Sequence, residues 1–101
     1  MKTKGYKRTF NSLRKYRKAR GLKQKDVAKI LGLKSASIIS RWENGLSLPN
    51  LVNVFKLAVL YRTMPDFLFI NLRRLLKEEV LKAEKSILQT KNQDQNAHSF
   101  E

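Results

Sequence analysis

The stretch from Gln24 to Gly45, QKDVAKILGLKSASIISRWENG, constrains this chain more than any other, because it reads as two short helices joined at a glycine. Val27, Ala28 and Leu31 fall at i, i+1 and i+4, one apolar face of a helix, and Gly32 sits where a helix stops. Leu33 turns back toward that face. A second helix can begin at Ser35 or Ser37, either of which offers a side-chain oxygen to unpaired backbone N–H groups. Its apolar positions are Ile38, Ile39 and Trp42, and Glu43, Asn44 and Gly45 close it. Two helices this short cannot bury enough surface alone, so the unit requires partners elsewhere in the chain.

Those partners are predicted on both sides. Residues 1–10, MKTKGYKRTF, lack periodicity and read as a flexible basic arm. From Asn11 or Ser12, both capable N-caps, a first helix runs to about Arg20 and stops at Gly21, with Leu13 and Tyr16 inward. Pro49 suits the first turn of a fourth helix, about 49–61. Its Leu51, Val54, Phe55, Leu57, Ala58 and Tyr61 wrap more than one face, which predicts a core helix rather than a binding surface. Pro65 and Asp66 open a last helical run in which Leu68, Leu72, Leu76, Val80, Ala83 and Ile87 form a continuous apolar stripe. That stripe is about four turns longer than a five-helix domain needs, and it predicts a partner subunit or a fold-back. Glu78 and Lys82, and Glu84 with Lys77 or Lys85, supply a solvated charged face. From Lys91 the chain is polar and is expected to be a disordered tail. No alternation of apolar and polar residues indicates a strand, and proline occurs only at 49 and 65, so the chain reads as all-α.

Composition narrows the function. There is no cysteine, and the single histidine, His98, lies in a polar end segment, so neither a metal site nor a catalytic triad can be assembled. No cofactor is expected. No apolar run follows the basic N-terminus and none approaches the ~20 residues of a membrane span, which points to a cytoplasmic protein. The formal net charge is +14. Lys2, Lys4, Lys7, Arg8, Arg14, Lys15, Arg17, Lys18, Arg20, Lys23 and Lys25 make eleven of the 22 basic residues, with no acid before Asp26. Solubility alone does not require such one-sidedness, which points to an anionic partner, nucleic acid ahead of a membrane surface or general solvation.

At Gln24, Ala28, Gly32, Ile39 and Trp42-Glu43-Asn44-Gly45 the sequence resembles the helix-turn-helix domains of the phage repressor, Cro and Xre-like regulators. The resemblance covers about residues 12–69 and implies a five-helix, lambda-repressor-like domain over 11–70, extended by a C-terminal helix at 71–90 that is a candidate for dimerisation. In such domains the third helix lies in the major groove. The resemblance puts Ser35 at its N-cap and turns Ser35, Ala36, Ser37 and Arg41 toward base edges, the residues left over once Ile39 and Trp42 are assigned to the core. Arg41 can donate to O6 and N7 of guanine, and Ala36 can touch a thymine methyl. Gln24 occupies a family position that contacts phosphate, at a helix N-terminus favourable to anions, and Asn44 is similarly placed. Lys23, Lys34, Ser40 and Arg14 are further candidates for the DNA backbone. The resemblance also implies a structural ion pair between Arg17 and Glu43. One departure stands out: Gly32 to Trp42 is one residue longer than in most relatives, within Leu33-Lys34-Ser35, which leaves the start of the third helix open by one position.

The expected function is a DNA-binding transcriptional regulator, acting as a homodimer on double-stranded DNA, with the basic arm tracking phosphates or entering the minor groove. The alternative is an antitoxin or adaptor whose last helix grips a protein partner while DNA binding autoregulates. An RNA-binding protein is disfavoured because no aromatic-bearing sheet is predicted. An enzyme is disfavoured because the carboxylates show no catalytic or metal-binding spacing.

Overall fold

The computed structural model describes residues 10–98, with side chains to Asn92, so that most of the basic arm and residues 99–101 lie outside the described residues. The order is α1 (Leu13–Ala19), α2 (Gln24–Leu31), α3 (Ala36–Glu43), α4 (Leu51–Leu60), α5 (Pro65–Leu68) and α6 (Ile70–His98). All regular structure among the described residues is helical.

Local chemistry sets these boundaries. α2 starts where the Lys23 N–H donates to Asp26 Oδ2 at 2.8 Å, and it ends at Gly32, whose φ of 76° is left-handed. Beyond that glycine the Leu33 N–H reaches back to the Ala28 carbonyl at 2.8 Å, closing the helix end over the left-handed residue. Of the two serines able to start α3, Ser35 is the cap, with Oγ accepting from the Ser37 N–H at 3.0 Å. The same reversal recurs after α1, from the Leu22 N–H to the Arg17 carbonyl at 3.2 Å, and after α3, from the Leu46 N–H to the Arg41 carbonyl at 2.9 Å. After α4 it recurs without glycine: Arg62 takes φ 54° while the Thr63 N–H donates to the Ala58 carbonyl at 3.0 Å.

The core gathers one or more residues from each of α1 to α5, with Leu13, Val27, Ile39, Leu57 and Leu68 almost fully enclosed and Trp42 and Tyr61 beside them. Three hydrogen bonds anchor the start of α1. The Asn11 amide donates to the Trp42 carbonyl at 2.8 Å while its oxygen accepts from the Leu13 N–H at 3.0 Å. The Ser12 N–H donates to the Leu68 carbonyl at 2.9 Å. Asn11 therefore supplies the capping oxygen, although Ser12 is the boundary residue.

Three features differ from the sequence expectations. Pro49 lies outside α4, which is instead capped by Asn50, its side-chain oxygen accepting from the Asn53 N–H at 2.8 Å. α4 is not wrapped on most sides; it packs chiefly against α2 and α5. Leu57 and Ala58 are buried, whereas Leu51, Val52, Phe55 and Val59 are exposed, Val59 by 77%. Finally, the last helical run breaks at Phe69, with φ −126° and ψ 45°. Leu68 and Phe69 are both buried, and successive residues of an unbroken helix point about 100° apart, so the break allows both to enter the core. α6 then continues past Lys91 to His98 and projects from the body, giving extents of 62 × 26 × 20 Å.

At Gly32 an added Cβ would meet nothing within 4 Å, so only its positive φ resists substitution. Gly32→Ala is expected to destabilise the domain by about 1 kcal/mol, read as a lowered thermal midpoint with unchanged helicity; an unaltered midpoint would show that the turn tolerates a side chain.

Candidate nucleic-acid interface

α3 has two unlike faces. Ile39 and Trp42 are buried and Ile38 is partly buried. Ser37, Ser40, Arg41 and Asn44 recur at i, i+3, i+4 and i+7, which places them along one stripe of the helix. Ser37, Arg41 and Asn44 are exposed, and Ser40 and Ala36 half-buried. Ser35 and Ser37 share a hydrogen bond of 2.6 Å between their hydroxyls at the N-terminal end. At the other end the Asn44 amide donates to Ser40 Oγ at 3.3 Å. Arg41 is held by no ion pair among the described residues, so its guanidinium donors are available.

The far end of α3 is tied to α1 and α2 through one carboxylate. Arg17 Nε lies 2.6 Å from Glu43 Oε2, and its Nη2 donates to Oε1 at 3.1 Å. The third guanidinium nitrogen, Nη1, donates to the Leu22 carbonyl at 2.9 Å. The two side chains are 9% and 3% exposed, so the pair lies inside the protein. Hydrogen bonding to Glu43 pushes the Arg17 pKa above the ordinary arginine value despite burial, which opposes it. Glu43 Oε1 also accepts from Gln24 Nε2 at 3.0 Å. This brings the start of α2 to the end of α3, beside Asn44. Gln24 keeps one amide hydrogen and its oxygen for other partners. Lys23, Lys34 and Arg14 are exposed, in the turns before α2 and α3 and on α1 respectively.

The Gln24–Glu43 contact has no signature in the sequence, since 19 residues separate the two. Tyr61 likewise stands in the sequence only as one position of an apolar pattern. Its hydroxyl is buried and finds no hydrogen-bond partner among the described residues. Burial raises its pKa, with the Glu43 charge adding to the effect.

A bundle of short helices presenting a capped, polar-faced helix, in a strongly basic chain, defines a helix-turn-helix DNA-binding domain. The helix-turn-helix family model matches residues 13–68, and the chain belongs to that family, of the Cro/C1 and Xre-like type; it is a DNA-binding regulator. No curated protein and no solved structure gives a significant match. No described helix is long and apolar enough to cross a membrane, and no described cluster of side chains could hold a metal ion.

Two stability outcomes follow from this geometry. Arg17→Ala or Glu43→Ala leaves a buried charge unpaired and is expected to cost about 3–5 kcal/mol; thermal midpoints equal to wild type would show that the pair does not tie the helices together. Tyr61→Phe removes an unsatisfied buried hydroxyl and is expected to be neutral or stabilising by up to about 1 kcal/mol. Because the folded-state pKa of Tyr61 is raised, its protonated form favours folding below the unfolded value of ~10, and that advantage is lost as pH rises above it. Denaturant titrations between pH 8 and 11 should accordingly show a shallower alkaline loss in Tyr61→Phe than in wild type.

Proposed function

We propose that α3 reads the major groove of operator DNA and that the protein acts as a dimer on a two-fold-related site. The observation that carries this reading is the polar stripe of Ser37, Ser40, Arg41 and Asn44, opposite the buried Ile39 and Trp42, on a chain of net charge +14. Arg41 is the principal base-reading residue, with two donors suited to guanine, and Ser35, Ala36 and Ser37 contact neighbouring bases. Gln24 and Asn44 clamp the phosphate backbone on either side, with Lys23, Lys34, Ser40 and Arg14 adding backbone contacts that set register without reading sequence. The hydrogen bond from Gln24 to Glu43 supports this role, because a pre-oriented amide loses less freedom on meeting a phosphate.

Selection from randomised duplexes, followed by binding to the selected site, tests the assignment. Arg41→Ala is expected to weaken binding by about 1–3 kcal/mol and to relax preference at one base position. Wild-type affinity should fall by roughly 10³–10⁵ between 50 and 200 mM salt if six to ten phosphates are contacted. Recovery of one and the same motif with wild type and Arg41→Ala would reject Arg41 as a base reader.

A further inference from the structure

Two apolar surfaces of this chain have no partner among the described residues. The first is an open groove between α2 and α4, walled by Ile30, Leu51, Val52, Phe55 and Val59, in which Lys56 is the single charged lining residue. The second lies on α6. There Glu84 is surrounded on the helix surface by Val80 and Leu81, one turn before it, and Ile87 and Leu88, one turn after it, all four of them exposed. Helical neighbours at i±3 and i±4 share a face, so these four form an apolar ring around one carboxylate. Glu84 has no partner among the described residues, and Lys56 reaches only the Leu31 carbonyl, at 3.4 Å.

We propose that the Val80–Leu88 segment of α6 docks into the α2–α4 groove of a second copy of this chain, with Glu84 paired to Lys56. This rests on the dimeric reading above and assigns its interface. The surfaces match where they would meet: Glu84 stands among Val80, Leu81, Ile87 and Leu88, with Lys82 on the opposite side of the helix and Lys85 at its flank, and Lys56 stands among the apolar walls of the groove. They match in length too: Leu51 to Val59 and Val80 to Leu88 each span about 12 Å at 1.5 Å per residue. An amphipathic helix laid in an apolar groove is a common mode of protein recognition. The groove of the same chain is not the occupant's home. α6 has neither glycine nor proline at which to fold back, and it projects along the 62 Å dimension of the molecule.

A coiled coil between two α6 helices fits less well. Its seam would be Leu76, Val80, Ala83 and Ile87, fewer than the three or four heptads such a pairing needs. In parallel register Glu79 at g would face Glu84 of the other helix at e, a like-charge pair. Leu81 and Leu88 would fall outside the seam. In the groove they are used, and exchange of α6 between two copies closes about a two-fold axis.

Charge exchange tests the proposal on the full chain. Sedimentation equilibrium would be measured for wild type, Lys56→Glu, Glu84→Lys and the double variant, with circular dichroism to follow folding; both positions are exposed. Each single substitution is expected to weaken dimerisation at least tenfold and the double substitution to restore most of it. Dimerisation unaffected by either single change, or weakened without recovery in the double variant, overturns the pairing while leaving the dimer in place. A monomeric wild type overturns both the pairing and the dimer. Operator binding by a monomer would still leave the α3 reading intact.

Discussion

The arrangement of this domain depends on a single carboxylate, that of Glu43. It is the last residue of α3, the end of a helix at which the peptide dipoles disfavour negative charge, and its side chain is nearly inaccessible to water. An acid so placed requires strong compensation. Arg17 supplies it with two hydrogen bonds from α1, Gln24 adds a third from the start of α2, and the remaining Arg17 nitrogen is absorbed by the Leu22 carbonyl. Ion pairs inside proteins contribute little net stability against their desolvation. What this one contributes is orientation: three helix ends converge on one group whose hydrogen-bond geometry permits few alternatives, and the polar stripe of α3 is aimed as a result.

How much of this was legible in the sequence follows from how local each signal is. The helix stops at Gly21, Gly32 and Gly45 were readable because a left-handed residue at a helix end is supplied most cheaply by glycine, and each of the three has positive φ. The fourth stop, at Arg62, was not readable, since a non-glycine in that conformation carries no local mark. The spacing of the Arg17–Glu43 pair, 26 residues, means nothing by itself; it was anticipated only through the resemblance to known regulators. Within the DNA-facing candidates, sequence left Ser35 and Ser37 as alternative starts of α3. The cap geometry separates them, because only Ser35 has extended backbone preceding the first helical residue.

α4 shows a different limit. Its run of apolar residues marks surface whose burial would be favourable, but a pattern cannot say whether anything covers it. The expectation of a core helix assumed that the covering surface lay within the same domain. In the structure, α4 borders the core along one side and leaves Leu51, Val52, Phe55 and Val59 outside. Phe69 is similar: a break between two buried residues has no signature when the periodicity continues on either side.

Charge placement connects these surfaces. In the body of the domain every acid already has an assignment: Asp26 caps α2, Glu43 accepts from Arg17, and Asp66 pairs with Arg73 at 2.9 Å. The basic side chains of α1 and of the turns before α2 and α3 therefore face solvent almost uncompensated, available to an anionic partner. The same excess opposes close approach of two bodies, by like-charge repulsion that falls off over about 8–10 Å at physiological salt. An association between copies must then use surface poor in cations, and must bring negative charge from elsewhere. The α4 flank supplies the first condition, with Lys56 the single cation of its groove; α6 is itself net basic, and it meets the second only locally, at Glu84 within its apolar ring.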